Sequence, residues 1–169
     1  MRRRTAVAAF GAGVVAALVS VYVMAQRLDK DLVTPTWQQP VVTIDDKAAV
    51  AAAQQWDAPF QIRYSTTSPD INVTRGVTLR DQSSGAVIGG KAFPPTVDGD
   101  RITGCLILVH HRHVTDAVLA HEIGHCLGLG HSLNPARLMY GASGVPGGAS
   151  GVTEADRAAL AALYGRRPR

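Results

Sequence analysis

Residues 121–131 read His121-Glu122-Ile123-Gly124-His125-Cys126-Leu127-Gly128-Leu129-Gly130-His131, and this stretch decides how the chain folds. On a helix, His121 and His125 are four residues apart and therefore share one face, one turn apart. Two neutral imidazoles in this arrangement can bind a single zinc ion. Glu122 lies about 100° further around the helix axis. Its carboxylate can reach a water molecule on the metal without binding the metal itself.

A third ligand is available if the helix ends soon after His125. His131 follows His125 by six residues, so a continuous helix would carry it to the far side. Gly128 predicts a helix end before His131, because glycine adopts the left-handed conformation that commonly closes a helix. The chain can then turn back and bring His131 to the metal. Three histidines leave one tetrahedral position open, which is typical of a catalytic zinc and not of a structural one.

The motif resembles the signature of the metzincin metalloproteases, in which a methionine turn follows the third histidine. Met139 is the matching methionine, and the resemblance implies that it forms a hydrophobic base beneath the three imidazoles. Among the metzincins the chain is most similar to the matrixins, which usually have a serine after the third histidine, as Ser132 is here. The resemblance is specific over residues 115–140 and weaker over residues 41–164.

The resemblance implies a zinc metalloendopeptidase that hydrolyses protein or peptide substrates, with one catalytic zinc ion on His121, His125 and His131. Glu122 would be the general base that takes a proton from the attacking water and passes it to the leaving amine. A second hypothesis is a zinc-stabilised module that binds peptides or cell-surface material without cleaving them, and the presence of Glu122 disfavours it. A third hypothesis changes only the substrate, to peptides of the cell envelope.

The resemblance also implies a metzincin-type α+β fold: a twisted mixed sheet, two long helices behind it and a small C-terminal subdomain below the cleft. Apolar patterns predict strands at residues 41–44, 60–66, 71–80 and 101–109, and helices at about 46–56, 116–127 and 153–165. Gly76 interrupts the third strand and predicts a bulge. Strand 101–109 is predicted to be the edge strand that receives extended substrate. Residues 81–100 are predicted to be mostly loop, and residues 141–151 a glycine-rich loop beside the substrate pocket.

The composition fits one globular domain of 169 residues, of which 46% are hydrophobic. The formal net charge of +4 depends on six arginines at positions 2–4, 166, 167 and 169. Without them, 11 basic residues face 13 acidic ones, so the body of the chain is slightly acidic. Because nucleic-acid binding needs a basic patch on the fold, we expect no nucleic-acid partner. We expect a monomer.

The N-terminus carries three arginines and then an uncharged run, Thr5–Gln26, which is about long enough to span a membrane. The arginines predict that the N-terminus stays inside and that the catalytic domain lies outside the cytoplasm. Two interpretations remain open. The run is a transmembrane signal anchor, which its length favours, or a signal peptide cleaved after Ala25, which would leave a secreted protein.

These patterns divide the chain into three segments. Residues 1–26 are the signal anchor or signal peptide, residues 27–40 a polar linker with two prolines, and residues 41–169 a matrixin-like metallopeptidase domain.

The two cysteines, Cys105 and Cys126, are either buried free thiols or one disulfide between a strand and the active-site helix. An exported chain favours the disulfide. Cys126 lies about 140° around the helix from His121, so it should point towards the core and away from the metal.

Two other patterns are weak candidates for metal sites. His110, His111 and His113 precede the active-site helix without the interleaved acidic residues of a matrixin structural zinc site, so we interpret them as an exposed polar loop end. Asp98 and Asp100 flank Gly99 and are more typical of a turn than of a calcium site. We therefore do not expect calcium.

Overall fold

The computed structural model describes residues 34–82, 84–141 and 149–165. The predicted signal anchor or signal peptide at residues 1–26 lies outside the described residues, as does most of the glycine-rich loop after Met139. Within the described ranges, no helix is both long enough and apolar enough to cross a membrane.

One mixed sheet of six strands organises the fold. The strands are β1 (Val41–Ile44), β2 (Gln61–Tyr64), β3 (Ile71–Val77), β4 (Gly90–Ala92), β5 (Thr96–Asp98) and β6 (Arg101–His110). The order across the sheet is β2-β1-β3-β6-β4, and β5 pairs with the first half of β6. Strands β1, β2, β3 and β6 are parallel, whereas β4 and β5 are antiparallel to β6.

The described residues also form three helices: α1 (Lys47–Gln54), α2 (Asp116–Cys126) and α3 (Glu154–Gly165). Side-chain oxygens cap the first two, because Asp46 accepts from the Ala49 N–H at 2.9 Å and Thr115 accepts from the Val118 N–H at 3.2 Å. The predicted mixed α+β architecture is therefore confirmed.

The prediction that strand 101–109 forms the edge of the sheet is wrong. β6 has β3 on one side and β4 and β5 on the other, so it lies in the interior of the sheet. Its residues Ile102, Ile107 and Val109 are fully buried and belong to the hydrophobic core. The edge strand beside the metal-binding motif is β4, a short strand within the stretch that was predicted to be mostly loop.

The bulge predicted in the third strand is confirmed. The pairing of β3 with β6 shifts register between Arg75 and Val77. Gly76 between them has a φ of 86°, a left-handed conformation that glycine adopts without strain.

Two tryptophans and one disulfide fasten helix α2 to the rest of the fold. Trp56 is fully buried and its indole N–H donates to the Ala120 carbonyl at 3.0 Å. Trp37, from the segment predicted to be a linker, is also buried and donates to the Cys126 carbonyl at 2.9 Å. Cys126 forms a disulfide with Cys105 of β6, with a Cα–Cα distance of 5.6 Å. The helix that carries the metal-binding motif is thus held at its middle and at its C-terminal end.

Candidate metal centre

The imidazoles of His121, His125 and His131 converge beside the C-terminal half of α2. Their ligand nitrogens all lie within 4.8 Å of one another, and the Nε2 atoms of His125 and His131 are 3.1 Å apart. Two nitrogens bound to one tetrahedral zinc ion would be about 3.3 Å apart. Of the described residues, only these three form a cluster of His, Cys, Asp or Glu side chains that could hold a metal ion.

Backbone carbonyls set the tautomer of the first two histidines. Nδ1 of His121 lies 2.7 Å from the Leu138 carbonyl oxygen, and Nδ1 of His125 lies 2.9 Å from that of Leu129. A carbonyl oxygen can only accept, so each Nδ1 carries the hydrogen and each Nε2 is left with its lone pair for the metal. Metal-ligating histidines in proteins are commonly oriented in this way.

The chain turns back to the metal directly after α2. Gly128 has a φ of 96°, and its N–H donates to the His125 carbonyl at 2.9 Å. This left-handed residue ends the helix and redirects the chain towards His131. A Cβ at position 128 would also lie only 3.0 Å from the Pro35 carbonyl oxygen, so the site has little room for a side chain.

Met139 lies against helix α2 between His121 and His125, two of the three candidate ligands. It is buried, and a Cβ built at Gly124 would lie 2.4 Å from its sulfur. The Ser132 N–H donates to the Met139 carbonyl at 2.6 Å, which ties the residue after the third histidine to the methionine turn. At Gly141, a Cβ would lie 3.0 Å from two ring atoms of His131, so the backbone passes directly beside that imidazole.

Asp156 on α3 supports the methionine turn from below. Its buried carboxylate accepts from the Leu138 N–H at 2.9 Å, and from the hydroxyl and N–H of Thr153 at 2.6 and 3.1 Å. Burial alone would raise the pKa of Asp156, but these hydrogen bonds and one from the Met139 N–H outweigh it, and the pKa is lowered. Because Leu138 in turn accepts from His121, one hydrogen-bonded chain connects α3 to a metal ligand.

Glu122 is buried beside the triad and faces the edge strand. The Ala92 N–H of β4 donates to its Oε2 at 2.6 Å. Burial raises the pKa of Glu122, and this hydrogen bond and the nearby charges of His121 and Lys91 oppose the increase. A Cβ at Gly90 would lie 3.0 Å from the Cγ of Glu122, so the glycine leaves room for this side chain.

Burial keeps His125 neutral near physiological pH. Loss of solvation is the main cause that lowers the pKa of its imidazole to about 4. Metal ions bind the neutral form of histidine, so proton competition at this ligand is weak.

Two cavities flank the triad. The first, of about 440 Å³, is lined largely by apolar groups, among them Phe93, Val97 and Leu129. The second, of about 520 Å³, contains Glu122 and residues on both sides of the methionine turn. Both cavities are lined in part by His125 and His131. The triad therefore lies between the two cavities, and the cleft extends to either side of the triad.

The prediction of an exposed polar loop end at His110, His111 and His113 is wrong for the first residue. His110 ends β6 and is buried, and its N–H donates to the Gly89 carbonyl at 2.8 Å, which extends the ladder between β4 and β6. Burial lowers the pKa of His110, and the neighbouring charges of His111, His113 and Arg112 add to this effect. His111 and His113 are exposed, as predicted.

Sequence reasoning missed three residues that shape the site: Gly90, Gly124 and Asp156. The adjacent glycines at 89 and 90 were a usable signal, since glycine in a strand often marks a close approach of another group. Gly124 and Asp156 gave no such signal. Asp156 looks ordinary in the first turn of a helix, and Gly124, although unusual inside a helix, did not indicate which distant neighbours require it.

Comparison with known proteins identifies one family. The sequence model of the matrixins, peptidase family M10, matches residues 40–165, which are 126 of the 169 residues. No curated protein sequence matches the chain. The matched region includes the three histidines, Glu122 and the methionine turn.

Proposed function

Because this chain belongs to the matrixin family of metallopeptidases, we propose that it is a zinc-dependent endopeptidase that acts outside the cytoplasm. One observation carries the proposal: three histidines, two of them held in the tautomer that leaves Nε2 for a metal, converge beside a buried glutamate in an open cleft. A structural zinc site would need a fourth protein ligand. The described part of the chain offers no fourth His, Cys or carboxylate to this cluster.

The triad fits zinc in number, chemistry and spacing. Three neutral imidazoles are a known ligand set of catalytic zinc. When bound, zinc supplies a water molecule of lowered pKa and polarises the carbonyl of the scissile bond. The carbonyls of Leu138 and Leu129 hold His121 and His125 in the required tautomer.

Glu122 is the proposed proton carrier. It takes a proton from the attacking water and gives it to the amine that leaves. Its raised pKa suits this task, because a carboxylate with a pKa nearer to the working pH both accepts and releases a proton readily. The Ala92 N–H engages one carboxylate oxygen and so orients the side chain.

Strand β4 is the proposed docking edge for the substrate. The Phe93 N–H donates inwards to the Leu106 carbonyl of β6, so the alternation of an antiparallel ladder directs the backbone groups of Ala92 and Gly90 outwards. One of these, the Ala92 N–H, is engaged by Glu122. The remaining outward groups can pair with an extended peptide by strand addition.

We propose an extracytoplasmic location from the predicted N-terminal anchor or signal peptide and from the disulfide, because disulfides persist in oxidising compartments. Protease added to intact cells should degrade the domain. Full protection of the domain in cells that remain intact would contradict this location.

The experiment that tests the function compares the full-length chain with its Glu122→Gln variant, both purified in mild detergent and loaded with zinc. We expect both proteins to bind zinc and only the unsubstituted protein to cleave unstructured casein. Glu154→Gln, on the exposed start of α3, is the matched control and should cleave normally. Cleavage by Glu122→Gln at the unsubstituted rate would contradict the assigned role of Glu122, and absence of cleavage by every form would favour the binding module.

A further inference from the structure

The second cavity beside the triad is lined by three cationic side chains. Arg80 precedes the edge strand, Lys91 belongs to it, and Arg137 precedes the methionine turn. The three come from different parts of the chain, and the fold brings them to one side of the metal position. The first cavity, on the other side, has no lysine, arginine or carboxylate in its lining.

None of these cations forms a salt bridge with a carboxylate of the described residues. Arg80 donates from one terminal nitrogen to the Gly85 carbonyl at 2.9 Å, which leaves most of its guanidinium donors for other partners. The Lys91 ammonium lies 5.7 Å from the centre of the Phe93 ring.

The cavity also contains two carboxylates, Asp81 and Glu122, so its three cations exceed its carboxylates by one. Asp81 accepts hydrogen bonds from the N–H and hydroxyl of Ser84, both at 2.8 Å. Glu122 is the proposed proton carrier and is engaged by Ala92. Residues 142–148, which follow the methionine turn, contain no charged residue in the sequence. This stretch therefore adds no carboxylate that could neutralise the three cations.

We propose that Arg80, Lys91 and Arg137 select substrates with an acidic side chain on one side of the scissile bond. The proposal rests on the proposed function, because it assigns the specificity of the same cleft. The apolar first cavity would receive uncharged side chains from the other side. The preferred substrate is thus an extended peptide with an apolar residue on one side of the cleaved bond and aspartate or glutamate on the other.

The expected selectivity follows from exposed charge pairs. One such pair changes an equilibrium by about two- to fivefold, so three cations that act together should favour glutamate over glutamine about tenfold in kcat/KM. Glutamate should lose this advantage as salt rises, because the screening length falls from about 8 Å at physiological salt to about 3 Å at 1 M. Lysine at the same position should be disfavoured.

The first experiment maps casein cleavage by mass spectrometry and takes one cleaved segment as the parent peptide. Each position on either side of the cut is then replaced in turn by glutamate, glutamine and lysine, and kcat/KM is measured for the full-length zinc-loaded protein. We expect a glutamate preference at positions on one side only, which decreases in high salt. A flat scan, or a preference that salt leaves unchanged, would overturn the proposal.

The second experiment neutralises the cations as Lys91→Gln, Arg137→Gln and Arg80→Gln, singly and together. The glutamate-to-glutamine ratio should fall about twofold for each single change and approach one in the triple variant. Lys47→Gln is the matched control, since Lys47 is also exposed and also lies over an aromatic ring, that of Tyr64 at 5.3 Å, but outside both cavities. An undiminished ratio in the triple variant would overturn the proposal. If the triple variant fails to fold, the single variants decide the result together with Lys91→Arg. Lys91→Arg should keep the glutamate preference, because it keeps the positive charge.

A binding measurement separates this proposal from the proposed function. Zinc-loaded Glu122→Gln protein is titrated into labelled peptides of equal length that alternate alanine with glutamate, glutamine or lysine. Absence of cleavage by the unsubstituted protein together with preferential binding of the glutamate peptide would remove the peptidase function and retain the acidic specificity. Equal binding of all three peptides, or binding of none, would overturn the specificity whether or not the protein cleaves.

Discussion

Gly124 tests the packing beneath the metal site, because its substitution by alanine sets two known effects against each other. In an exposed helix the change stabilises by about 1 kcal/mol, since alanine is the better helix former. Here the added Cβ would lie 2.4 Å from the sulfur of Met139 and 2.7 Å from Cζ2 of Trp56. Both distances are far below van der Waals contact, so a neighbour must move.

The overlap should outweigh the gain in helix propensity. Met139 is flexible, but Trp56 is fully buried and held by its hydrogen bond to Ala120. Inserting a methyl group into such a core costs about 1–3 kcal/mol. Because both overlaps are severe, the cost should lie in the upper half of that range, so after subtraction of the helix gain we expect Gly124→Ala to lower the free energy of unfolding by about 1–2 kcal/mol. The change should also weaken zinc binding, because it lies between His121 and His125.

Urea unfolding of the metal-free proteins measures the first effect, and competition with a chelating dye measures the second. Gly165→Ala is the matched control, since that glycine ends α3 and a Cβ there meets nothing within 4 Å in the described part of the chain. It should be neutral or stabilise by up to about 1 kcal/mol. A Gly124→Ala protein as stable as the control variant would refute the reasoning.

Three further changes test other parts of the account. Replacing Cys105 and Cys126 together with alanine should lower the free energy of unfolding by about 3 kcal/mol, because the bond spans 21 residues; unchanged urea midpoints would contradict this. Asp156→Asn should lower the free energy of unfolding by about 1–3 kcal/mol, because an amide that accepts the same hydrogen bonds through its oxygen buries an unpaired N–H donor beside it. An unchanged free energy of unfolding would argue that Asp156 does not support the methionine turn. The free energy of unfolding of the metal-free protein should fall by about 3 kcal/mol through His125 as the pH falls from about 6.5 to 4, because His125 binds a proton in this range in the unfolded chain and not in the folded one. His125→Gln should remove this part of the pH dependence.

The site was predictable from the sequence to the extent that it is local. The spacing of His121 and His125 defines one helix face, and Gly128 supplies the left-handed turn to His131 within a few residues. The caps at Asp46 and Thr115 were likewise readable, because an N-cap side chain bonds to a backbone N–H three residues on.

What sequence reasoning missed depends on contacts between distant segments. The apolar run of β6 is compatible with an edge strand and with an interior strand. Apolar residues indicate that a face of the sheet is buried, but they do not indicate whether a strand has a neighbour on one side or on both. The true edge, β4, is three residues long and has no apolar periodicity. His110 was misassigned for a related reason, since its place in the sheet depends on pairing with Gly89 of the preceding segment.

The most direct test of the central claim is X-ray absorption spectroscopy at the zinc edge, on the full-length protein loaded with one equivalent of zinc. We expect the zinc ion to be coordinated by three imidazole nitrogens and one oxygen at about 2.0 Å, and by no sulfur. The oxygen should remain in the Glu122→Gln protein, because Glu122 is not a ligand. A fourth protein ligand, a sulfur shell or failure to retain zinc would contradict a catalytic metal held by His121, His125 and His131.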